Sequence, residues 1–231
     1  SNNPNVPTGY TKGMPYRSKV TDATGKVYSE TTTAYVADND LAAPWYTPQS
    51  QIDTYLCESG TCASHTRTTF AYDHQFGNLS YETHYGDLAS AYDDRAIYRT
   101  YSDNVTDWIV GLPTRESHYN SSNTSSVNLV AQKTFLYDGT GGCASPNGTT
   151  TPTKGHLTKA TNWLSVTGAE YDVWGNITCT RDANGNVSTV TYDSTKTFPS
   201  TTTNPLGHVI TTQYYGVDGQ VVDKVSIISR S

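Results

Sequence analysis

The chain has one methionine and four phenylalanines among 231 residues, and only 16% of its residues are charged. No apolar run reaches the roughly 18 residues that a membrane-crossing helix needs. Few stretches repeat apolar residues at helical spacing over three turns, which argues against long amphipathic helices. Lysine and arginine are scattered and the net charge is −6. No basic patch is therefore available for nucleic acid or for an anionic membrane surface. What the chain has is 18 tyrosines and 18 glycines, with abundant Thr, Ser and Asn. Tyr and Thr favour pleated, half-buried surfaces, while Asn and Gly favour tight turns. The expected fold class is all-β, built of many short strands in antiparallel hairpins.

The chain opens Ser1-Asn2-Asn3-Pro4, and no secretory leader is expected within it. The sequence reads as an internal piece, or a processed product, of a longer secreted, extracellular polypeptide. Four cysteines occur: Cys57, Cys62, Cys143 and Cys179. An even count in so polar a chain fits disulfides in an oxidising compartment, with three connectivities open. A local Cys57–Cys62 bridge across Glu58-Ser59-Gly60-Thr61 is geometrically easy. Free thiols are a second reading. A metal site on Cys57, Cys62 and His65 is a third, but no second ligand pair accompanies it.

Three segments are expected. Residues 1–16 are an extended opening segment rich in Pro and Gly. Residues 17–155 are an irregular β region, and residues 156–231 hold regular repeats. The irregular region divides into a hairpin over 17–37, a loop over 38–51 and a turn at Cys57 to Cys62. Strands follow over 66–72, 77–85 and 96–101, with a polar connection over 86–94. A further strand over 108–119 is interrupted at Gly111 and Pro113. A Ser/Asn loop covers 120–126, a long strand 127–137, and a mobile Gly/Pro/Thr-rich insert 139–154. In the regular region Tyr171, Tyr192 and Tyr214 are spaced by 21 and 22 residues. Gly185-Asn186 and Gly207-His208 each begin seven residues before a Tyr of that series. One period suits one hairpin. Alternation is expected to place Val, Ile and Tyr on one face and Thr, Ser and Asn on the other, with stacked hairpins burying the apolar face together.

The recurring phrase is Tyr171-Asp172-Val173-Trp174-Gly175-Asn176-Ile177, with an earlier copy at Tyr72-Asp73-His74-Gln75-Phe76-Gly77-Asn78-Leu79 and partial ones at Gly185-Asn186, Tyr192-Asp193, Gly207 and Tyr214. With Arg181-Asp182-Ala183-Asn184-Gly185-Asn186-Val187, the segment Thr197 to Val209 and the segment Asp107 to Glu116, it resembles the Rhs/YD-repeat family. The B-component type of insecticidal Tc toxin complexes is the nearest form. The resemblance covers roughly residues 17–225. It implies a β-sheet ribbon spiralling into a hollow shell around a C-terminal polypeptide cargo, with this chain as part of the wall. The implied partners are the remainder of a longer Rhs/YD polypeptide or a C-component shell partner. It carries no catalytic residue onto any position here. The irregular early repeats and the 139–154 insert depart from the family pattern.

The histidines His65, His74, His84, His118, His156 and His208 form no zinc-protease motif, and neither a nucleophile elbow nor a phosphate loop occurs. His74 and His84 could face each other across a hairpin, although solvent-facing strand residues are the plainer reading. His208 reads as a turn residue. Asp182, Asn184 and Asn186 resemble the start of a calcium loop, but Gly185 sits at the wrong position, so turn chemistry explains them. Asp93-Asp94 and Asp38-Asn39-Asp40 read as loop acids rather than a catalytic pair. The tyrosines read as cross-strand packing rather than a glycan platform. The motif Asp is expected to accept hydrogen bonds from the turn that follows it. Sequons stand at Asn78, Asn104, Asn120, Asn123, Asn147, Asn176 and Asn186, with Asn120, Asn123 and Asn147 in loops. The expectation is a non-enzymatic wall segment without a cofactor. Two alternatives remain: an adhesion or filament module associating through its sheet edges, and a carbohydrate-active enzyme.

Overall fold

The computed structural model describes residues 11–36, 47–58 and 61–214. The chain divides into two compact units, Ser1–Tyr101 with Arg115–Gln132 and Ser102–Thr114 with Lys133–Ser231. Among the described residues, secondary structure is antiparallel β apart from one 3-10 turn at Ser126–Asn128. The first unit holds β1 (Arg17–Thr21), β2 (Val27–Tyr35), β3 (Gln49–Glu58), β4 (Thr61–Tyr72), β5 (Leu79–Tyr85) and β6 (Arg95–Tyr101). Residues of β7 (Pro113–Tyr119) and β8 (Leu129–Asp138) belong to both units. The second unit continues with β9 (Gly148–Thr149), β10 (Leu157–Asn162), β11 (Ser165–Tyr171), β12 (Ile177–Arg181), β13 (Val187–Tyr192), β14 (Pro199–Thr203) and β15 (Val209–Thr211).

Strands neighbour one another in chain order, with the short β9 set beside β8 as the one departure. Consecutive hairpins are the topology that local turns allow, because each pairing forms between segments close in sequence. The register slips by one residue where a strand ends in the repeated Tyr: at Tyr35, Tyr72, Tyr171 and Tyr192. These are bulges, and a bulge re-aims the side chain at the strand end.

The expected segregation of side chains between faces does not occur. In the second unit, Cys179, Thr189 and Thr203 share one cross-strand row and Arg181 and Val187 another. Val190, Thr202 and Ile210 form a row on the opposite face. Threonine and β-branched apolar residues thus alternate with each other on both sides. The expected common apolar layer is also absent. Among the described residues, the buried apolar side chains are Pro48, Cys57, Ala96, Tyr137, Cys143, Pro152 and Cys179. Asp53, Thr83, Ser117 and Thr158 are buried polar strand residues, and the remaining strand side chains among the described residues are half-buried or exposed. β-Branched Thr, Val and Ile suit the pleat whichever face they occupy, so strand propensity survives without amphipathicity.

Three local expectations need correction. The strand expected over 108–119 begins only at Pro113, where the ring removes a backbone donor and suits a strand's first residue. Residues before it turn, with Trp108 at φ 56° and a bridge between Asn104 and Ile109. The loop expected over 38–51 ends earlier, since β3 starts at Gln49; residues 37–46 lie outside the described set. The insert over 139–154 is not loose. Cys143 is bonded to Cys179 of β12, Pro152 is fully buried, and Asn147 Oδ1 accepts the N–H groups of Thr140 and Gly141 at 2.9 Å each. At Gly139 and Gly141 an added Cβ would strike the backbone of Asn147 and Ser145, so close packing requires glycine there.

The second bridge joins Cys57 to Cys62 across the β3–β4 pair. Sequence separations are 36 for Cys143–Cys179 and 5 for Cys57–Cys62. Loop-closure entropy then assigns about 4 kcal/mol to the first and about 2 kcal/mol to the second. The Cys143→Ser/Cys179→Ser variant should lose more stability in urea unfolding than Cys57→Ser/Cys62→Ser. The reverse order would show that the insert contributes little.

Candidate functional site

The recurrent Tyr-Asp pair sits at the junction between one hairpin and the next. The Tyr lies at or just past the end of the second strand of a hairpin, and its hydroxyl reaches back to the carbonyl at the start of the first. Tyr101 donates to Leu79 O at 2.8 Å, Tyr137 to Pro113 O at 2.6 Å, and Tyr171 to Leu157 O at 3.2 Å. Tyr192 donates to Ile177 O at 3.1 Å and Tyr214 to Pro199 O at 3.0 Å. In each case the acceptor is the first residue of β5, β7, β10, β12 or β14. Tyr35 does the same to Pro15 O at 3.0 Å, two residues before β1. The bond closes the hairpin end opposite its own turn, where strands otherwise fray. Burial raises the phenols of Tyr101, Tyr137 and Tyr171, so they remain protonated donors.

The Asp that follows gathers the turn leading into the next hairpin. Asp172 Oδ1 accepts the N–H groups of Trp174 and Asn176 at 2.9 Å each. Asp73 accepts from Gly77 and Asn78 and also from Phe76. Asp193 accepts from Thr197 at 2.9 Å and Phe198 at 3.1 Å. Asp138, itself at φ 53°, spans the long insert and collects four N–H groups, from Thr153, Lys154, Gly155 and His156. The same device shapes turns inside hairpins. Asp22, Asp182 and Asn204 each accept the N–H groups two and four residues on. Gly25, Gly175, Gly185 and Gly207 stand three residues after those acids or amide, at φ between 79° and 89°. That left-handed position is why the phrase carries glycine. The following Asn is a second clasp: Asn176 Nδ2 donates to Asp172 Oδ2 and Asn186 Nδ2 to Asp182 Oδ2.

These bonds hold the carboxyls of Asp22, Asp138, Asp172, Asp182 and Asp193 below their ordinary range. For Asp193 the Thr195 hydroxyl is the largest cause, followed by the N–H of Phe198, and the pKa falls to about 2. For Asp138 and Asp172 burial pushes upward, but the turn N–H groups outweigh it. Asp182 is lowered first by the Asn186 amide, and Asp22 first by the Thr24 hydroxyl.

A second constellation in the first unit was not anticipated. On one face of β5, β6 and β7, Arg99 lies between Glu82 at 3.2 Å and Glu116 at 3.0 Å. His84 closes on Glu82 at 2.9 Å and His118 on Glu116 at 2.8 Å. The only sequence signal is the spacing Glu82-x-His84 and Glu116-x-His118 on strands, which places each pair on one face. On the other face Asp53, nearly buried, meets Gln51, His65 at 2.6 Å and Arg67 at 2.8 Å. The guanidinium between the two glutamates disfavours a cation there, and the charges offset one another.

Other singled-out residues are dispersed. His84 lies opposite Thr68, whereas His74 sits in the turn before β5, so these two do not face each other. His208 follows Gly207 in the β14–β15 turn. Asp93 and Asp94 border a groove of about 860 Å³ with His84, Arg95 and His118. Asp93 accepts the Asp87 N–H at 2.9 Å, and Asp94 accepts the Ser122 hydroxyl at 2.7 Å. Asp38, Asn39 and Asp40 lie outside the described residues. Among the sequons, the Nδ2 groups of Asn104, Asn176 and Asn186 donate within the fold. Asn123 Oδ1 accepts the Ser125 N–H, and Asn120 pairs through its backbone with Asn128.

No family model matches the chain, and no curated protein does. Similar solved structures include a TcdB2-TccC3-Cdc42 crystal structure, at 12% identity and TM-score 0.48, over 90% of this chain and 16% of that one. The Tc holotoxin pore of Photorhabdus luminescens is similar at 13% identity and TM-score 0.47, again over 90% and 16%. A porin-like protein from Bacteroides uniformis gives 11% identity and TM-score 0.33, over 90% and 86%. The chain spans 16% of the length of those Tc toxin chains.

Two measurements test the junction. Tyr192→Phe removes one hairpin closure and should cost about 0.5–1.5 kcal/mol in urea unfolding. The acids give a pH dependence of definite sign. A carboxyl whose folded pKa is lowered contributes stability above its unfolded value, and that contribution is lost as pH falls through the folded value. Thermal stability should therefore fall from about pH 4 toward about pH 2. Asp193→Asn keeps an acceptor of the kind Asn204 supplies, so its melting temperature should fall less across that window than the wild type's.

Proposed function

We propose that this chain is a wall segment of an Rhs/YD-repeat polypeptide of the Tc toxin-complex kind, which encloses and helps deliver a C-terminal polypeptide cargo. The observation that carries this reading is the junction. Tyr closes one hairpin, Asp starts the next, and the chain extends by one hairpin per repeat without needing a packed interior. Such a strip suits a barrier with solvent on both sides. The mechanism is encapsulation, and the reading assigns the chain no catalysis. The partners are further repeats of the same polypeptide or a C-component shell chain, and the setting is extracellular. In a glycosylating host, Asn120 and Asn123 are the sequons assigned to glycans.

A second reading, an adhesion or filament module, draws on β1. All five of its residues are exposed, and among the described residues its one strand neighbour is β2, which makes it an edge strand there. Negative-stain electron microscopy of the full polypeptide carrying this segment separates the two. Hollow particles with a protease-protected C-terminal fragment are the expected result. Solid fibres would overturn encapsulation in favour of polymerisation.

A further inference from the structure

The Cys143–Cys179 bridge has a third potential ligand beside it. Glu170 Oε2 lies 3.5 Å from Cys179 Sγ, and ligand atoms of Cys143, Glu170 and Cys179 all fall within 4.8 Å of one another. Both sulfurs belong to buried residues, 4% and 7% exposed, while Glu170 reaches them from an exposed strand position. Gly142 stands next to the carboxylate, and a Cβ built there would come within 3.4 Å of Oε2. The Cα atoms of the two cysteines are 6.2 Å apart.

We propose that, when this bridge is reduced, Cys143, Cys179 and Glu170 bind a zinc ion, so that the same residues hold the 139–154 insert to β12 in reducing and oxidising surroundings. Tetrahedral zinc with Zn–S of about 2.3 Å and Zn–O of about 2.0 Å requires an S···O separation of about 3.5 Å, the distance already present. Three protein ligands leave a fourth position for water. The chemistry balances with a named reductant. A phosphine with one water, which becomes the phosphine oxide, or two small thiols, which become their disulfide, supply two electrons and two protons, and the S–S bond becomes two thiols. Zinc then displaces both thiol protons, and the thiolates with the carboxylate coordinate it. The other bridge lacks this third partner. No such three-ligand group surrounds Cys57 and Cys62 among the described residues, and His65 is turned to Asp53 at 2.6 Å.

The test uses the full chain with Cys57→Ser/Cys62→Ser, reduced anaerobically with a phosphine and titrated with cobalt and then zinc. One ion per chain is expected, with a thiolate-to-cobalt charge-transfer band that zinc abolishes. The band should vanish in Cys143→Ser and in Cys179→Ser. In Glu170→Gln the affinity should fall on the order of tenfold or more, the scale of losing a contributing group at a metal site. Oxidised protein should bind no ion. Equal binding by Glu170→Gln, or binding by the oxidised chain, overturns the site. If the reduced chain loses its β circular dichroism, zinc should restore it, and failure to do so also counts against the proposal.

Discussion

The closure of a hairpin's open end by a tyrosine hydroxyl, made by Tyr35, Tyr101, Tyr137, Tyr171, Tyr192 and Tyr214, is the interaction on which the rest depends. A hairpin is held at one end by its turn, and its other end frays unless something ties it. In a globular domain a packed core supplies that tie. Here the buried apolar residues are few and scattered, so cohesion falls to backbone ladders, turn acids and the tyrosine bonds. From Tyr101, Tyr137, Tyr171, Tyr192 and Tyr214 the bond reaches the first residue of the partner strand, and from Tyr35 it reaches Pro15, two residues before β1. With Tyr and Asp adjacent, one end is closed and the next turn is opened within two residues.

The absence of amphipathicity follows from the same economy. Where few apolar strand side chains are buried, gathering Val and Ile on one side gains little. Threonine and β-branched apolar residues can then mix on both faces, as in the rows through Cys179 and Val190. Polar cross-strand groups take part of the load, notably Arg99 between Glu82 and Glu116. Exposed ion pairs contribute little singly, but these are partly shielded and shared across three strands. Where the chain departs from one hairpin per period, at 139–156, it compensates with a disulfide, four N–H groups on Asp138 and close glycine packing.

Much of the fold was legible because its determinants are local. The Asp-x-x-Gly and Gly-Asn phrases carry their own turn geometry, so Asp22, Asp172 and Asp182 could be read from spacing alone. The Tyr period announced the hairpin repeat. The partner of the Tyr hydroxyl could not be read, because the acceptor is a backbone carbonyl and leaves no trace in side-chain identity. The strand expected over 108–119 failed because β-forming Trp108-Ile109-Val110 outweighed Pro113 in the reading, while the backbone turns at Trp108. The insert looked loose by composition, yet glycine and proline there serve close packing.

By itself the sequence determined strand propensity, turn positions and the hairpin period, since each depends on residues within a few positions of one another. Only the tertiary structure decided which cysteines pair, what the tyrosines bind, and that Glu82, Arg99 and Glu116 meet on one face. Those outcomes depend on register between strands. A shift of a single residue would turn each side chain to the opposite face, and no local pattern specifies it where both faces are polar.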